Sequence, residues 1–405
     1  MIGERIKQAR LAAGMTQDEV SESLATLRGP SLTKAGLSKY ERGGSVPKPT
    51  MLRALARVFG VSAEFFLDEP KVSVLWLAFR KGSSLRKGEE KQIQAVAAAQ
   101  VEAFVSLTHA LEPQREQSAP EPMAVRTPEE AEKAASRLRS AWRLGDQPVE
   151  SVTSAIEDGG GLVLELGGRD DVFDGLSGWA DESIPVVVVS HWVSDDRRRF
   201  SLAHELGHLF METKGVDSRA EEKLAHRFAA AFLVPAETAR RELGERRRHL
   251  DFRELALLKI KHGLSMAAWI MRAADLEIVD EAHARTLFTR LSAKGWRRQE
   301  PVEFEGREQP LRLRQLTVRA LAEGFITREQ AERICPQALA DVGEEVPAVP
   351  GSMDARTLLK LPREERERLL EQAATLVEGD YKESGRLTGF DALSKEDHSD
   401  ESLED

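Results

Sequence analysis

Residues 197–210, RRRFSLAHELGHLF, read as one amphipathic helix that carries His204 and His208 four residues apart. Side chains at this spacing project from the same helical face, so both imidazoles can converge on one zinc ion. Glu205 follows the first histidine and lands beside the open coordination position, where it can take a proton from water. This pattern limits what the chain can fold into. One helix must bury its apolar face while its polar face looks into a cleft, and a second element must bring a third ligand.

The rest of the 405 residues narrows the class. A hydrophobic share of 41% and a charged share of 31% fit a globular protein of several domains. No apolar run reaches the roughly 18 residues needed to span a bilayer. The N-terminus, MIGERIKQARLAAG, is charged and lacks a secretory core, so a cytoplasmic protein without a membrane partner is expected. The single cysteine, Cys335, excludes disulfides and cysteine-based zinc sites within one chain and reads as a small helical core residue. The net charge of −10 is uneven: residues 1–60 carry ten Lys/Arg against five Asp/Glu, and residues 376–405 carry three against ten. A basic head and an acidic tail point to different partners at the two ends.

Residues 1–68 read as short helices broken by turn signals, with Thr16 and Glu19 forming a capping box. Residues 86–111 are Ala-rich with helical spacing, and PQREQSAPEPMAVRTP beyond them has linker composition. From residue 128 the pattern mixes EEAEKAASRLRSAW as helix, GGGLVLELGG and IPVVVVS as strands, and FDGLSGW as strand or turn. EEKLAHRFAAAFLVP and two further helices follow through residue 275.

The residues GxxIKxxRxxxGMTQDEV, LSKYERGGSVPKP and LRALARVFGVS resemble the XRE, or lambda-repressor-like, helix-turn-helix family. The resemblance implies a five-helix bundle with the helix near Thr33–Tyr40 in the major groove of double-stranded DNA. Gln17 is placed as in that family to grip a phosphate, and Thr33, Lys34, Ser38 and Lys39 are the expected base-edge or phosphate contacts. The connection RGPSLTK is longer than the usual tight turn.

RRFSLAHELGHLF and ExxAxxFAAxFLVP resemble, in order, the two signature blocks of the ImmA/IrrE metallopeptidases. The resemblance implies Zn2+ held by His204, His208 and Glu222, with Glu205 as catalytic base. His226 stands where that family usually has Asn. One turn beyond Glu222, it is expected behind the ligands or facing the oxyanion, with direct ligation the alternative. Glu221 is expected to point about 100° away from the metal. The only tyrosines are Tyr40 and Tyr381, so His226, His191, His249 or an arginine must serve the oxyanion, or the metal serves alone.

These readings make a multidomain, mainly α chain. Its expected parts are a helix-turn-helix bundle (1–68), a helical connector (69–112), a linker (113–127) and an α+β, zincin-like peptidase domain (128–280). A helical C-terminal extension (281–345) and a charged helix with an acidic, disordered tail (352–405) complete it. Arg297 and Arg298 are candidate phosphate or acidic-partner contacts, and the tail is a candidate cover for the basic head. The resemblance implies a regulatory metalloendopeptidase that cleaves a specific repressor or antitoxin-like protein, encoded nearby, in stress response, mobile-element control or phage defence. The alternatives are a transcription factor or toxin–antitoxin component whose zinc domain senses without cutting, and a toxin held by a partner. A homodimer is expected, since one helix-turn-helix usually reads paired half-sites.

Overall fold

The computed structural model describes residues 2–68, 72–81, 87–114, 119–166, 173–190 and 194–340. The head packs four helices: α1 (Ile2–Ala12), α2 (Gln17–Thr26), α3 (Lys34–Glu41) and α4 (Pro49–Phe59). Its fifth element is one turn of 3-10 helix, Glu64–Phe66, because Gly60 stops α4 in the left-handed region and leaves only a short run before Asp68. The expected capping box is present, with Thr16 accepting from the Glu19 N–H while Glu19 accepts from the Thr16 N–H. Ile6, Val20, Leu24, Leu37, Leu55 and Phe66 are buried at the head's centre.

Residues expected in a helical connector form strand β1 (Val74–Lys81) before α5 (Lys87–Leu111) begins. Val74–Leu77 is apolar on both pleat faces, a pattern that strand and buried helix share until pairing decides. Val74 and Trp76 pack inward, whereas Leu75 and Leu77 stay exposed. Beyond α5 come β2 (Met123–Ala124), α6 (Pro128–Ala141), α7 (Val152–Asp158), β3 (Leu162–Leu166), β4 (Phe173–Ala180) and β5 (Ile184–Ser190). Next are α8 (Asp195–Phe210), β6 (Met211–Glu212), α9 (Ser218–Leu233), α10 (Ala236–Leu243), α11 (Phe252–His262) and α12 (Met266–Asp275). The chain continues through α13 (Glu281–Ala293), α14 (Arg312–Ala322), α15 (Arg328–Ile334) and α16 (Gln337–Ala340). The linker composition also misleads at its end, where β2 pairs in parallel with β6 through Met123 and Met211.

One mixed sheet, ordered β1-β4-β5-β3, organises the body. β1 and β5 run antiparallel to β4, while β3 runs parallel to β5. Its central strands are apolar on both faces because both faces are covered. Val163, Val187 and Val189 join the core built by α6, α8, α9, α12 and α13. Leu162, Leu164, Val186 and Val188 face α5 and α14 instead. The C-terminal extension is thus part of the body, closing the sheet's second face. The head docks on the same spine: the buried Arg5 guanidinium of α1 donates to both Glu102 carboxylate oxygens of α5, at 2.6 and 2.5 Å. Among the described residues, no helix is long and apolar enough to cross a membrane. The expected charged helix and acidic tail lie outside the described residues.

Glu157, at the end of α7, accepts N–H groups from Leu311 and Arg312 where α14 begins. Burial pushes its carboxyl up to about 7, against the opposing pull of those hydrogen bonds and of the Arg312 charge. A raised folded-state value means stability present at low pH that is lost as pH rises through it. Between pH 5 and 8, wild type is therefore expected to lose stability relative to Glu157→Gln, by on the order of 3 kcal/mol. Parallel thermal-melting profiles for the two proteins would refute this.

Candidate metal centre

Helix α8 starts with Asp195 and Asp196 in its first turn, where acidic groups complement the N-terminal partial charge. It runs beneath β4 and β5 and carries His204 and Glu205 into full burial. Asp217 caps α9, accepting from the Arg219 and Ala220 N–H groups, and so sets the phase that aims Glu222 back at α8. The two helices cross closely at Gly207. A Cβ there would meet the Ala225 Cα at 3.3 Å and the Phe228 Cβ at 3.4 Å.

This crossing brings the expected ligands together. His204 Nε2 lies 3.2 Å from His208 Nε2. The Glu222 carboxylate lies 3.4 Å from the first and 3.6 Å from the second. A tetrahedral zinc ion with ligands at about 2.0–2.1 Å needs donor–donor edges of about 3.3 Å. The separations among the two imidazoles and the carboxylate are close to that edge, and two imidazoles with one carboxylate are a donor set that catalytic zinc takes. The Glu222 side chain is 45% exposed, so the cluster opens toward solvent on that side.

His226 enters the same cluster, with a ring nitrogen within 4.8 Å of donor atoms of His204 and Glu222. Its ring stands 4.6 Å from that of His204 and stacks on Phe200 at 5.8 Å. The distances among His204, His208 and Glu222 are close to that tetrahedral edge, and the His226 ring stands beside His204. Glu221 does turn from the ligand triangle, but toward the back of His208: its carboxylate lies 3.8 Å from His208 Nδ1 and accepts from Thr213 Oγ1 at 2.8 Å. His249 packs on His283 instead, with ring centroids 5.4 Å apart. His191 and Tyr381 lie outside the described residues, and Tyr40 packs against the head's core.

Glu205 has two close neighbours on β4 that the sequence pattern does not single out. Ser177 on β4 is fully buried and donates its hydroxyl to Glu205 Oε2 at 2.6 Å. Gly175, two residues earlier on the same face of β4, lies directly against the carboxylate: a Cβ there would sit 2.7 Å from Glu205 Oε1. The signal was present as two small residues at period two in FDGLSGW.

In the head, Gln17 is the first residue of α2, and its side-chain amide donates to Glu41 at 2.7 Å. Thr33 caps α3 by accepting from the Gly36 N–H. Lys34 pairs with Asp18 across an exposed 2.6 Å contact. Lys39 is exposed and Ser38 half-buried on α3. Arg297 stacks on Phe288, with the guanidinium carbon 5.2 Å from the ring centroid.

Residues 166–273, which hold this cluster, match the family described as IrrE N-terminal-like domain. Residues 6–66 match the family described as Helix-turn-helix. The chain joins a helix-turn-helix head to an IrrE-like domain of a peptidase family. The IrrE-like match takes in β4, β5 and α8 to α11, while β1, α5 and α14 lie outside it. The chain is 35% identical over 72 residues to the HTH-type transcriptional regulator ImmR of Bacillus subtilis (strain 168), covering 18% of this chain and 52% of that protein. It is 34% identical over 67 residues to the SPbeta prophage-derived uncharacterized HTH-type transcriptional regulator YonR of the same strain, covering 16% and 56%. The chain thus spans about half the length of these curated relatives. No solved structure matches it.

Proposed function

We propose that this chain is a zinc-dependent endopeptidase with a DNA-binding head, and that it cleaves a specific repressor or antitoxin-like protein to control transcription. The observation that carries the reading is the 3.2–3.6 Å triangle of His204, His208 and Glu222 beside a carboxylate, Glu205, held by Ser177. Zinc held by those three residues would supply the Lewis acid that acidifies a water and polarises a peptide carbonyl. Glu205 takes the proton of the attacking water and returns it to the leaving amine. Ser177 ties up Oε2 of that carboxylate, and Gly175 leaves the space in which Oε1 sits. His226 donates toward the developing oxyanion, since its ring flanks His204 at the cluster's edge. Glu221 steadies His208 from behind.

The head supplies the regulatory context. Gln17, Thr33, Lys34, Ser38 and Lys39 form its DNA face, with Thr33 acting through the start of α3 and Gln17 held in place by Glu41. The relatives' names, two transcriptional regulators of which one is prophage-derived, support transcription or mobile-element control, and paired half-sites favour a homodimer.

The test expresses the chain with the proteins encoded beside it and follows each by mass spectrometry. Wild type is expected to cut one of them at one bond. Glu205→Gln is expected to retain zinc and lose roughly 10²–10⁴-fold in rate. If every neighbouring protein stays intact with both forms under inducing conditions, the peptidase reading fails.

A further inference from the structure

A cavity of about 740 Å³ opens beside the metal cluster, between α8, α9, α12 and α13. Phe200, Ala230, Met271 and Phe288 supply apolar walls. His226 belongs to both cavity and cluster, because it stacks on Phe200 on one side and stands against His204 on the other. The Met271 side chain is 49% exposed, an adaptable apolar surface that nothing within the described residues covers. The volume lies in the range of ligand pockets and exceeds what one side chain fills, so it suits a bulky residue together with its neighbours.

Charge at the cavity is unbalanced in one direction. Its acidic groups are already engaged: Asp196 pairs with Lys259 at 2.8 Å and Asp275 with Arg227 at 3.1 Å. Arg197 and Lys223, also lining it, are exposed and make no ion pair among the described residues. Arg197 lies on α8, seven residues before His204, and Lys223 follows Glu222 on α9, so the two cations reach the cavity from the two helices that carry the ligands.

We propose that this cavity is a specificity pocket for an extended peptide segment in which a bulky apolar side chain is flanked by acidic residues. This rests on the peptidase reading above and adds to it the chemistry of the sequence selected. The apolar side chain enters between Phe200, Met271 and Phe288, and the carboxylates beside it meet Arg197 and Lys223. Two neutral or basic neighbours would leave those cations unmatched, which makes charge a means of rejecting other substrates.

The test uses zinc-loaded full-length Glu205→Gln, so that binding is read without turnover. Fluorescence anisotropy follows three dye-labelled decapeptides: one with a central Phe flanked by Asp and Glu, one with that Phe replaced by Ala, and one with the acids replaced by Lys. The first is expected to bind at least about tenfold more tightly than either control. Adding Met271→Trp, which fills the cavity, should remove the preference for Phe, and adding Lys223→Glu should remove the preference for acids. Equal affinities for the three peptides, or preferences untouched by both substitutions, would overturn the proposal. Selective binding without cleavage by wild type supports the pocket and sinks the peptidase reading. Cleavage of a partner without either preference does the reverse.

Discussion

Gly207→Val should weaken zinc binding by up to about 100-fold while leaving the head able to bind DNA. Even a bare Cβ at this position stands 3.3–3.4 Å from the backbone and Cβ atoms of α9, and valine adds two methyl groups beyond it. Helix α9 must move away, at a cost of about 1–3 kcal/mol for overpacking. Glu222 moves with α9, whereas His204 and His208 stay on α8. Losing this alignment is expected to weaken zinc binding by up to about 100-fold. A chelator competition titration reads the affinity, and circular dichroism with an operator-binding assay shows that the fold and head persist. Unchanged zinc affinity would mean that the helix crossing does not set the third ligand.

Gly175→Val is expected to do the complementary thing, keeping the metal and losing the chemistry. The new side chain would start 2.7 Å from Glu205 Oε1 and 3.0 Å from its Cδ. Glu205 is 1% exposed and tied to Ser177, so it has no spare room on its own side. The carboxylate must leave its bond to Ser177 and its position against β4. The three atoms nearest the new side chain all belong to Glu205, so zinc affinity should hold while kcat falls by roughly 10²–10⁴-fold. Ser177→Ala, which removes the hydrogen bond without the clash, should fall between this variant and wild type. A Gly175→Val protein that turns over normally would show that β4 does not position the base.

The pairing of His204 with His208 was legible because helical spacing puts both on one face, whereas Glu222 came from the resemblance to the second signature block. Glu222 sits a capped helix start away from Asp217 on the next helix. β3 and β5 were legible as short apolar runs between turn signals. The partners of Glu205 were not, because Gly175 and Ser177 reach it through a strand pairing that joins β4 to β5 and to α8 across distant sequence. β1 was hidden for a related reason: its edge pairing to β4, Leu75 with Trp179 and Phe79 with Leu176, crosses about a hundred residues. The linker composition of 113–127 likewise gave no sign that Met123 would pair with Met211. The head was read correctly as a bundle, yet the capping role of Thr33 and the hold of Glu41 on Gln17 needed the packed helices to appear.

In the proposed function, His204, His208 and Glu222 together hold one catalytic zinc ion. X-ray absorption spectroscopy on the zinc-loaded full-length protein, beside Glu222→Ala, tests it most directly. One zinc per chain is expected, with two imidazole nitrogens and oxygen donors at about 2.0–2.2 Å, and binding should be lost or markedly weakened in Glu222→Ala. Coordination by a third imidazole in place of the carboxylate, or full zinc retention in Glu222→Ala, would contradict it.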